Sequence, residues 1–411
     1  MAILPYVYLG YMFISLYMLS MFLIIYLKNK KEIFDYPKAK KKYAVSFVVP
    51  AYNEEKTIED TIKNIFNVDY DMLEVIVVND GSTDNTKKII EKLMKEYPKL
   101  KLINNIKNLG NAARSQNVGL KHAKGEIIAV VDADSYPSKD SVSKMLGFFN
   151  DEKVGAVTCP VIARNTNRFI EKLQAIEYKM ISLTRKLLDY VDAIYVTPGP
   201  LALYRKKVLV EIGGFDENNM TQDIEATWHL TYNGWMRRMC LSASVSSTVP
   251  NKLKAWFRQR RRWNVGGLQC IQKYRKSLFD PKKGMLGFFI IPFFILSTFL
   301  GLLGLSIFSY LIIKRTISNF LYTKYSIVAG TPLLTLENFY ITPSILNYLG
   351  VALFILGLIF LFIVFAVLKE RVLRKENILN IPFYMMVYIA FYPFIMLSAM
   401  WHMAKGKRIW R

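Results

Sequence analysis

The sequence predicts an α/β domain carried by about four membrane-crossing helices. Three observations lead there. Apolar residues make up 52% of the 411-residue chain although 21% are charged, which is reconciled if the two kinds are segregated along it. Residues 2–27, 285–313, 346–368 and 378–403 contain no Lys, Arg, Asp or Glu. Between the first two of these runs, short strands of continuous apolar residues alternate with helical patterns, the signature of a parallel sheet covered on both faces.

Each apolar run is long enough to span a bilayer, because a helix rises about 1.5 Å per residue and needs roughly 20 apolar residues. The first run has no basic segment before it and no small-residue cleavage site, so it reads as a retained anchor rather than a signal peptide. Lys28, Lys30, Lys31, Lys38, Lys40, Lys41 and Lys42 follow it directly. By the positive-inside rule they place the following domain in the cytoplasm, as part of a multi-pass protein of the cell (plasma) membrane. The short loop bearing Lys369, Arg371, Arg374 and Lys375 should lie on the same side. Four simple spans would leave the basic tail (Lys405, Lys407, Arg408, Arg411) outside, so either the last run is re-entrant or the tail departs from the rule.

The domain order is then an anchor over 1–27, a basic linker over 28–43, an α/β domain over 44–250, an interfacial helical region over 251–284 and a membrane region over 285–411. Val45-Ser-Phe-Val-Val-Pro50 reads as the first strand, and Ile58, Ile62 and Ile65 mark the face of the helix after it. Glu74-Val-Ile-Val-Val-Asn79 is the second strand, and Gly81-Ser-Thr-Asp84 supplies turn and cap chemistry before a helix carrying Ile89, Ile90 and Leu93. Leu100–Asn104 and Ile127-Ile-Ala-Val-Val-Asp132 are further strands. Residues 169–193 and 251–276 read as long amphipathic helices, and the second, rich in Arg and Trp, should lie in the membrane interface.

A net charge of +23 could signal a nucleic-acid partner, but with four spans it is better explained by cytoplasmic Lys and Arg facing anionic lipid, so no nucleic acid is expected. The three cysteines, Cys159, Cys240 and Cys270, are scattered and form neither a disulfide framework nor a zinc spacing.

Ligands of open α/β sheets bind beyond the carboxyl ends of the strands, and five polar elements fall where they can use that edge. Pro50-Ala-Tyr-Asn-Glu54 can receive a base and a ribose, with Tyr52 and Glu54 as contacts, or be a surface turn. In Asn79-Asp-Gly-Ser-Thr-Asp84, Asp80 can accept hydrogen bonds from a nucleoside, although Asn-Asp-Gly is also an ordinary turn sequence. Asp132-Ala-Asp134 can hold a hard divalent cation that also binds phosphate. Thr221-Gln-Asp-Ile-Glu225 reads as a helix start capped by Thr221, or as the site of a general base at Asp223, with Glu225 competing on spacing. Gln259-Arg-Arg-Arg-Trp263 is either a solvated face or a site where Arg neutralises a departing diphosphate and Trp stacks on a sugar.

In their joint order these elements resemble the inverting family-2 glycosyltransferases of GT-A (Rossmann-like) fold, especially the processive membrane branch that includes poly-N-acetylglucosamine, hyaluronan, chitin and cellulose synthases. The resemblance covers roughly residues 44–263 and extends to the membrane layout. It implies donor contacts from Pro50, Tyr52, Glu54, Asp80, Asp132 and Arg262, with Asp132 and Asp134 on Mn²⁺ or Mg²⁺ and Asp223 as base. It also implies acceptor contacts from Gly199, Pro200, Gln259 and Trp263. Two departures stand out: Gln222 replaces the usual acidic residue before Asp223, and Gly110-Asn-Ala-Ala-Arg114 lacks the Lys often found after that glycine. The implied partners are a nucleotide-sugar donor, UDP-N-acetylglucosamine first, a polysaccharide or lipid-linked acceptor, and membrane lipids. A one-step lipid glycosyltransferase and a silent nucleotide-sugar-binding subunit are the competing readings.

Overall fold

The computed structural model describes residues 4–329, 345–368 and 375–406. Lys369, Arg371 and Arg374 of the basic loop and Lys407, Arg408 and Arg411 of the tail lie outside the described residues.

Helix α1 (Leu4–Asn29) leads into a domain built from β1 (Val45–Ala51), α2 (Ile58–Phe66), β2 (Leu73–Asn79), α3 (Thr86–Met94), β3 (Leu100–Asn104), α4 (Ala112–His122), β4 (Ile127–Val130) and β5 (Ser135–Pro137). It continues through α5 (Ser141–Leu146), β6 (Val154–Thr158), β7 (Val161–Ala163), α6 (Phe169–Asp189), β8 (Ala202–Arg205) and α7 (Lys206–Glu211). It closes with α8 (Gln222–Tyr232), β9 (Met236–Met239), β10 (Val245–Ser247) and α9 (Leu253–Tyr274). Three long helices follow, α10 (Ile291–Ala329), α11 (Ile345–Val367) and α12 (Lys375–Ala404).

The main sheet has seven strands in the order β3-β2-β1-β4-β8-β6-β9, and β5, β10 and β7 form a second, smaller sheet. The first four strands are parallel, as the continuous apolar runs of β2 and β4 predict; β3, with Lys101 and Asn104, is the half-buried edge strand. The sheet is not parallel throughout, because β8 runs antiparallel to both β4 and β6. Pro50 is tolerated in central strand β1 because β4 pairs only as far as Val48, so the missing amide faces a position beyond the ladder. Side chains alternate between two cores. Phe47, Val49, Val75 and Val77 pack with Ile58, Ile62 and Ile65 of α2 and Ile90 of α3. Val48, Ile76, Val78 and Val130 pack with Leu120 of α4, Val208 of α7 and Leu230 of α8.

A third core joins this domain to the long helices, through Phe22 of α1, Leu183 and Leu187 of α6, Trp228 of α8, Cys270 and Tyr274 of α9, and Phe360 and Val364 of α11. Among the described residues four helices are long and apolar enough to cross a membrane: Pro5–Asn29, Leu286–Tyr325, Tyr348–Val367 and Asn380–Ala404. The second continues well past residue 313, because Lys314 and Arg315 end the apolar run without breaking the helix. Helix α6 also departs from a simple amphipathic pattern. Its Glu177, Arg185, Lys186 and Asp189 are buried, since the helix is wedged between the second half of the sheet and helices α11 and α12.

Candidate active site

The site is built at the carboxyl edge of the sheet. After β1 the chain turns through Asn53, whose left-handed backbone (φ 56°) suits Asn. Asn53 Oδ1 accepts from the Thr83 amide (2.8 Å), and its own amide donates to Ser82 Oγ (3.0 Å). The Glu54 amide donates to Thr86 Oγ1 (2.8 Å), and the Glu55 amide to Asp84 Oδ2 (3.1 Å). These bonds lace the loop after β1 to the loop after β2 and fix half-buried Tyr52 and Glu54 beside the sheet edge. Asp80, at the end of β2, is 5% exposed; its carboxylate accepts from Asn105 Nδ2 (2.8 Å) and from the Leu109 amide (3.1 Å).

Beyond β4 the backbone turns so that Asp132 and Asp134 project from the same edge, held by the Ser135 amide on the Asp132 carbonyl (3.0 Å) and by Thr61 Oγ1 on the Ala133 carbonyl (2.8 Å). Gly199 is pressed against this turn. A Cβ there would stand 2.9 Å from both Asp132 carboxylate oxygens, so any larger residue would push that carboxylate aside. The Gly199–Pro200 loop is pinned to α8 by Thr197, whose amide donates to Thr227 Oγ1 (2.9 Å) and whose hydroxyl bonds Tyr204 Oη (2.7 Å). One turn earlier on α8 lies Asp223, whose Oδ1 accepts from the Ile224 amide (3.0 Å). Thr221 occupies the cap position of α8, but its hydroxyl bonds Asn219 and not the helix amides. Glu225 is fully buried and occupied by Lys273 (2.5 Å) and Tyr274 Oη (2.7 Å).

The Gln259-to-Trp263 run divides by face. Arg258, just before it, is exposed. Arg260 is fully buried and ion-paired with Glu177, which also accepts from Tyr388 of α12. Gln259 Oε1 accepts from Arg260, and the Arg260 guanidinium lies 4.0 Å from the centre of the Trp263 ring, which rests on it. Burial would pull Arg260 down, but Glu177 holds it above its ordinary value, so it stays charged. Arg262 instead acts electrostatically on Asp132 and Asp223.

Electrostatics show which of these groups meet. Burial, then Asp134, Asp223 and Glu54, push the Asp132 carboxyl up to about 7, with Arg262 opposing. Burial likewise raises Asp134 and Asp223, the latter countered by the Ile224 amide and Arg262. Asp132 thus has Asp134, Asp223, Glu54 and Arg262 within electrostatic reach, while Asp80 stands at the end of β2, two strands from β4. Among the described residues no group of three or more His, Cys, Asp or Glu has metal-site geometry. The protein thus offers a carboxylate pair in a crowded negative environment, which fits a hard cation completed by phosphate oxygens better than a closed cage. The cysteines are free and buried.

From Asp223 and Trp263 a cavity of about 1320 Å³ runs on between the long helices, where Tyr11 of α1, Gly304 of α10 and Met400 of α12 line it. Arg260, Glu177, Thr197 and Thr227 were not picked out from sequence; Arg260 stands in the Arg run, from which the resemblance took only Arg262.

The family model for glycosyl transferase family 2 matches residues 46–213. The chain is 32% identical over 241 residues to a poly-beta-1,6-N-acetyl-D-glucosamine synthase of Staphylococcus aureus (strain COL), covering 58% of each protein. It is 30% identical over 285 residues to the synthase of that name from Staphylococcus epidermidis, covering 69% of this chain and 68% of that one. The chain thus spans 58% of the length of the S. aureus relatives it matches. In fold it is similar to a mannosyltransferase from Pyrobaculum calidifontis in complex with GDP-Man and Mn²⁺, with a TM-score of 0.53 and 22% identity over 70% of this chain and 85% of that one.

Proposed function

This chain belongs to glycosyl transferase family 2, and on that premise we propose that it moves a sugar from a nucleotide-sugar donor onto a growing polysaccharide, with inversion. The observation that carries the reading is the cavity. The candidate base Asp223 and the candidate stacking residue Trp263 line the same space that continues between the membrane-length helices, a route for an acceptor that lengthens away from the site. UDP-N-acetylglucosamine is the first donor to test, because the relatives above are named as synthases of an N-acetylglucosamine polymer.

In this mechanism Pro50, Tyr52, Glu54 and Asp80 receive the nucleoside, and Arg262 faces the diphosphate. Asp223 takes the proton of the acceptor hydroxyl as that oxygen bonds to the anomeric carbon. The bond from that carbon to the diphosphate oxygen breaks, and the nucleoside diphosphate leaves with the electron pair. A carboxyl raised by burial is a stronger proton acceptor, which suits Asp223 to the role. Glu225, bound by Lys273 and Tyr274, is not placed to compete. Trp263, backed by Arg260 and Gln259, stacks on the acceptor sugar, and Gly199 and Pro200 bound the space between acceptor and Asp132. A Mn²⁺ or Mg²⁺ held by Asp132 and Asp134 would supply positive charge to the departing diphosphate. Residues 44–250 are then the catalytic domain, 251–284 the interfacial region and 285–411 the membrane region, with the 28–43 lysines favouring a cytoplasmic catalytic side.

The test is detergent-solubilised protein with Mn²⁺ and a panel of UDP- and GDP-sugars, reading released nucleoside diphosphate and product size. The expected result is a high polymer from one donor, reduced by roughly 10²–10⁴-fold in Asp223→Asn while donor binding persists. A single sugar on lipid would move the reading to a lipid acceptor, and no release from any donor would refute it.

A further inference from the structure

Four cationic side chains are buried among the described residues: Arg185, Lys186, Arg237 and Arg260. Three of them have acceptors. Lys186 meets Asp189 (3.0 Å), Arg260 pairs with Glu177, and Arg237 donates through both terminal nitrogens to the Trp235 and Asp192 carbonyls (2.8 Å each), with only its Nε unpartnered. Arg185, on α6, is different. It is 4% exposed, and its Nε and Nη1 are sealed from solvent with no hydrogen-bond partner among the described residues. An unpartnered buried guanidinium is costly; Nε and Nη1 are closed off, so an acceptor that arrives with a ligand can be met at Nη2, the remaining nitrogen.

Its position says which ligand. Arg185 lines the cavity that holds Asp223 and Trp263, beside Tyr178, Ser182, Tyr195 and Asn264. Aromatic faces with a few hydroxyl and amide groups are suited to a sugar ring, which offers apolar C–H faces and polar edges. Arg185 has five donors and no acceptor, so it must be met by an oxygen. Asp223, the carboxylate that acts on Arg185, already supplies negative charge, and the diphosphate is assigned to Asp132, Asp134 and Arg262, so a neutral acceptor is favoured here. Among neutral groups of a sugar, an amide carbonyl is the strongest acceptor. We propose that Arg185 donates to the acetamido carbonyl oxygen of the acceptor sugar held in the cavity, making it a specificity-determining residue for N-acetylated acceptors. This assignment rests on the transferase reading above.

The experiment uses the full chain in detergent, with the nucleotide sugar found by the donor screen. Two acceptors are compared, a β-linked N-acetylglucosamine oligosaccharide and its de-N-acetylated counterpart, and the readout is the ratio of their kcat/KM values. Wild-type protein should favour the acetylated acceptor by about tenfold or more, the range of a hydrogen bond to a charged group. Arg185→Met should bring the ratio close to one, and Arg185→Lys should fall between. The ligand-free Arg185→Met protein should melt no lower than wild type, because it loses an unpaired buried charge; a lower Tm means that the guanidinium is structural and overturns the assignment. An unchanged ratio in Arg185→Met, or a wild-type enzyme indifferent to the acetyl group, also overturns it while leaving the transferase reading intact. Absence of nucleoside diphosphate release from any donor would overturn both.

Discussion

Gly266 of α9 sits where that helix crosses the start of α8, and replacing it with Ala tests whether this crossing sets the site. A Cβ at Gly266 would lie 1.8 Å from Thr221 Oγ1, 2.7 Å from Thr221 Cβ and 2.8 Å from Cγ2. Rotating the Thr221 side chain can relieve the first contact, but Cβ is fixed to the backbone. An ordinary carbon–carbon contact is about 3.5 Å, so the start of α8 must withdraw from α9 by about 0.8 Å. Thr221 is 3% exposed and backed by Asn219, which leaves little room for the movement. Asp223 rides on that turn, and Arg262 and Trp263 ride on α9, so the shift opens the gap between candidate base and candidate acceptor platform. A misplacement of about 1 Å can cost on the order of 10²-fold in rate, and overpacking a core costs about 1–3 kcal/mol. Gly266→Ala should therefore lower kcat by about 10²-fold, change donor KM little, and reduce Tm by several degrees. Gly267→Ala is the control. Its Cβ meets only the Phe294 ring edge at 3.3 Å, which can tilt away. The measurements are nucleoside diphosphate release at saturating donor and thermal unfolding. A folded Gly266→Ala protein with near wild-type kcat, or an equal loss in Gly267→Ala, would refute the reasoning.

Glu225→Gln should keep transfer at the wild-type order of magnitude and lower Tm, since Glu225 is the buried partner of Lys273 and Tyr274; loss of turnover with donor binding intact would make it the base instead. Glu177→Gln leaves Arg260 buried without its counter-charge and should destabilise the protein by about 3–5 kcal/mol, of which a second change, Arg260→Met, should restore a large part. Denaturant unfolding of the single and double variants reads this directly, and equal stability of the two variants would argue against a coupled pair. Asp134→Asn should weaken Mn²⁺-dependent donor binding more than metal-independent binding, measured by titration calorimetry with and without chelator; an unchanged metal response would remove Asp134 from the cation site.

Much of the framework is written in short stretches of sequence. The apolar runs at 75–78 and 127–130 can hardly be anything but buried strands, and Ile58, Ile62 and Ile65 mark one face of a helix, because periodicity is a local property. The membrane-length helices follow from apolar length in the same way, as does the expectation that polar residues just after strands gather at one sheet edge. The relation between distant segments is another matter. That β8 returns antiparallel, that Gly199 touches Asp132, and that Glu225 is claimed by Lys273 all depend on contacts between residues far apart in the chain. In the run from Arg260 to Arg262, sequence offers identical side chains, and only the roughly 200° between positions two apart on a helix separates the one locked on Glu177 from the one acting on Asp132. Arg185 is the clearest case. In Ile181-Ser-Leu-Thr-Arg-Lys186 it looks like an ordinary charge on an amphipathic helix. Sequence determined the elements and their likeness to a family, because those arise from local chemistry and order. Only the tertiary structure decided which charges are paired and which is left facing a cavity, because pairing depends on which surfaces the folded chain brings into contact.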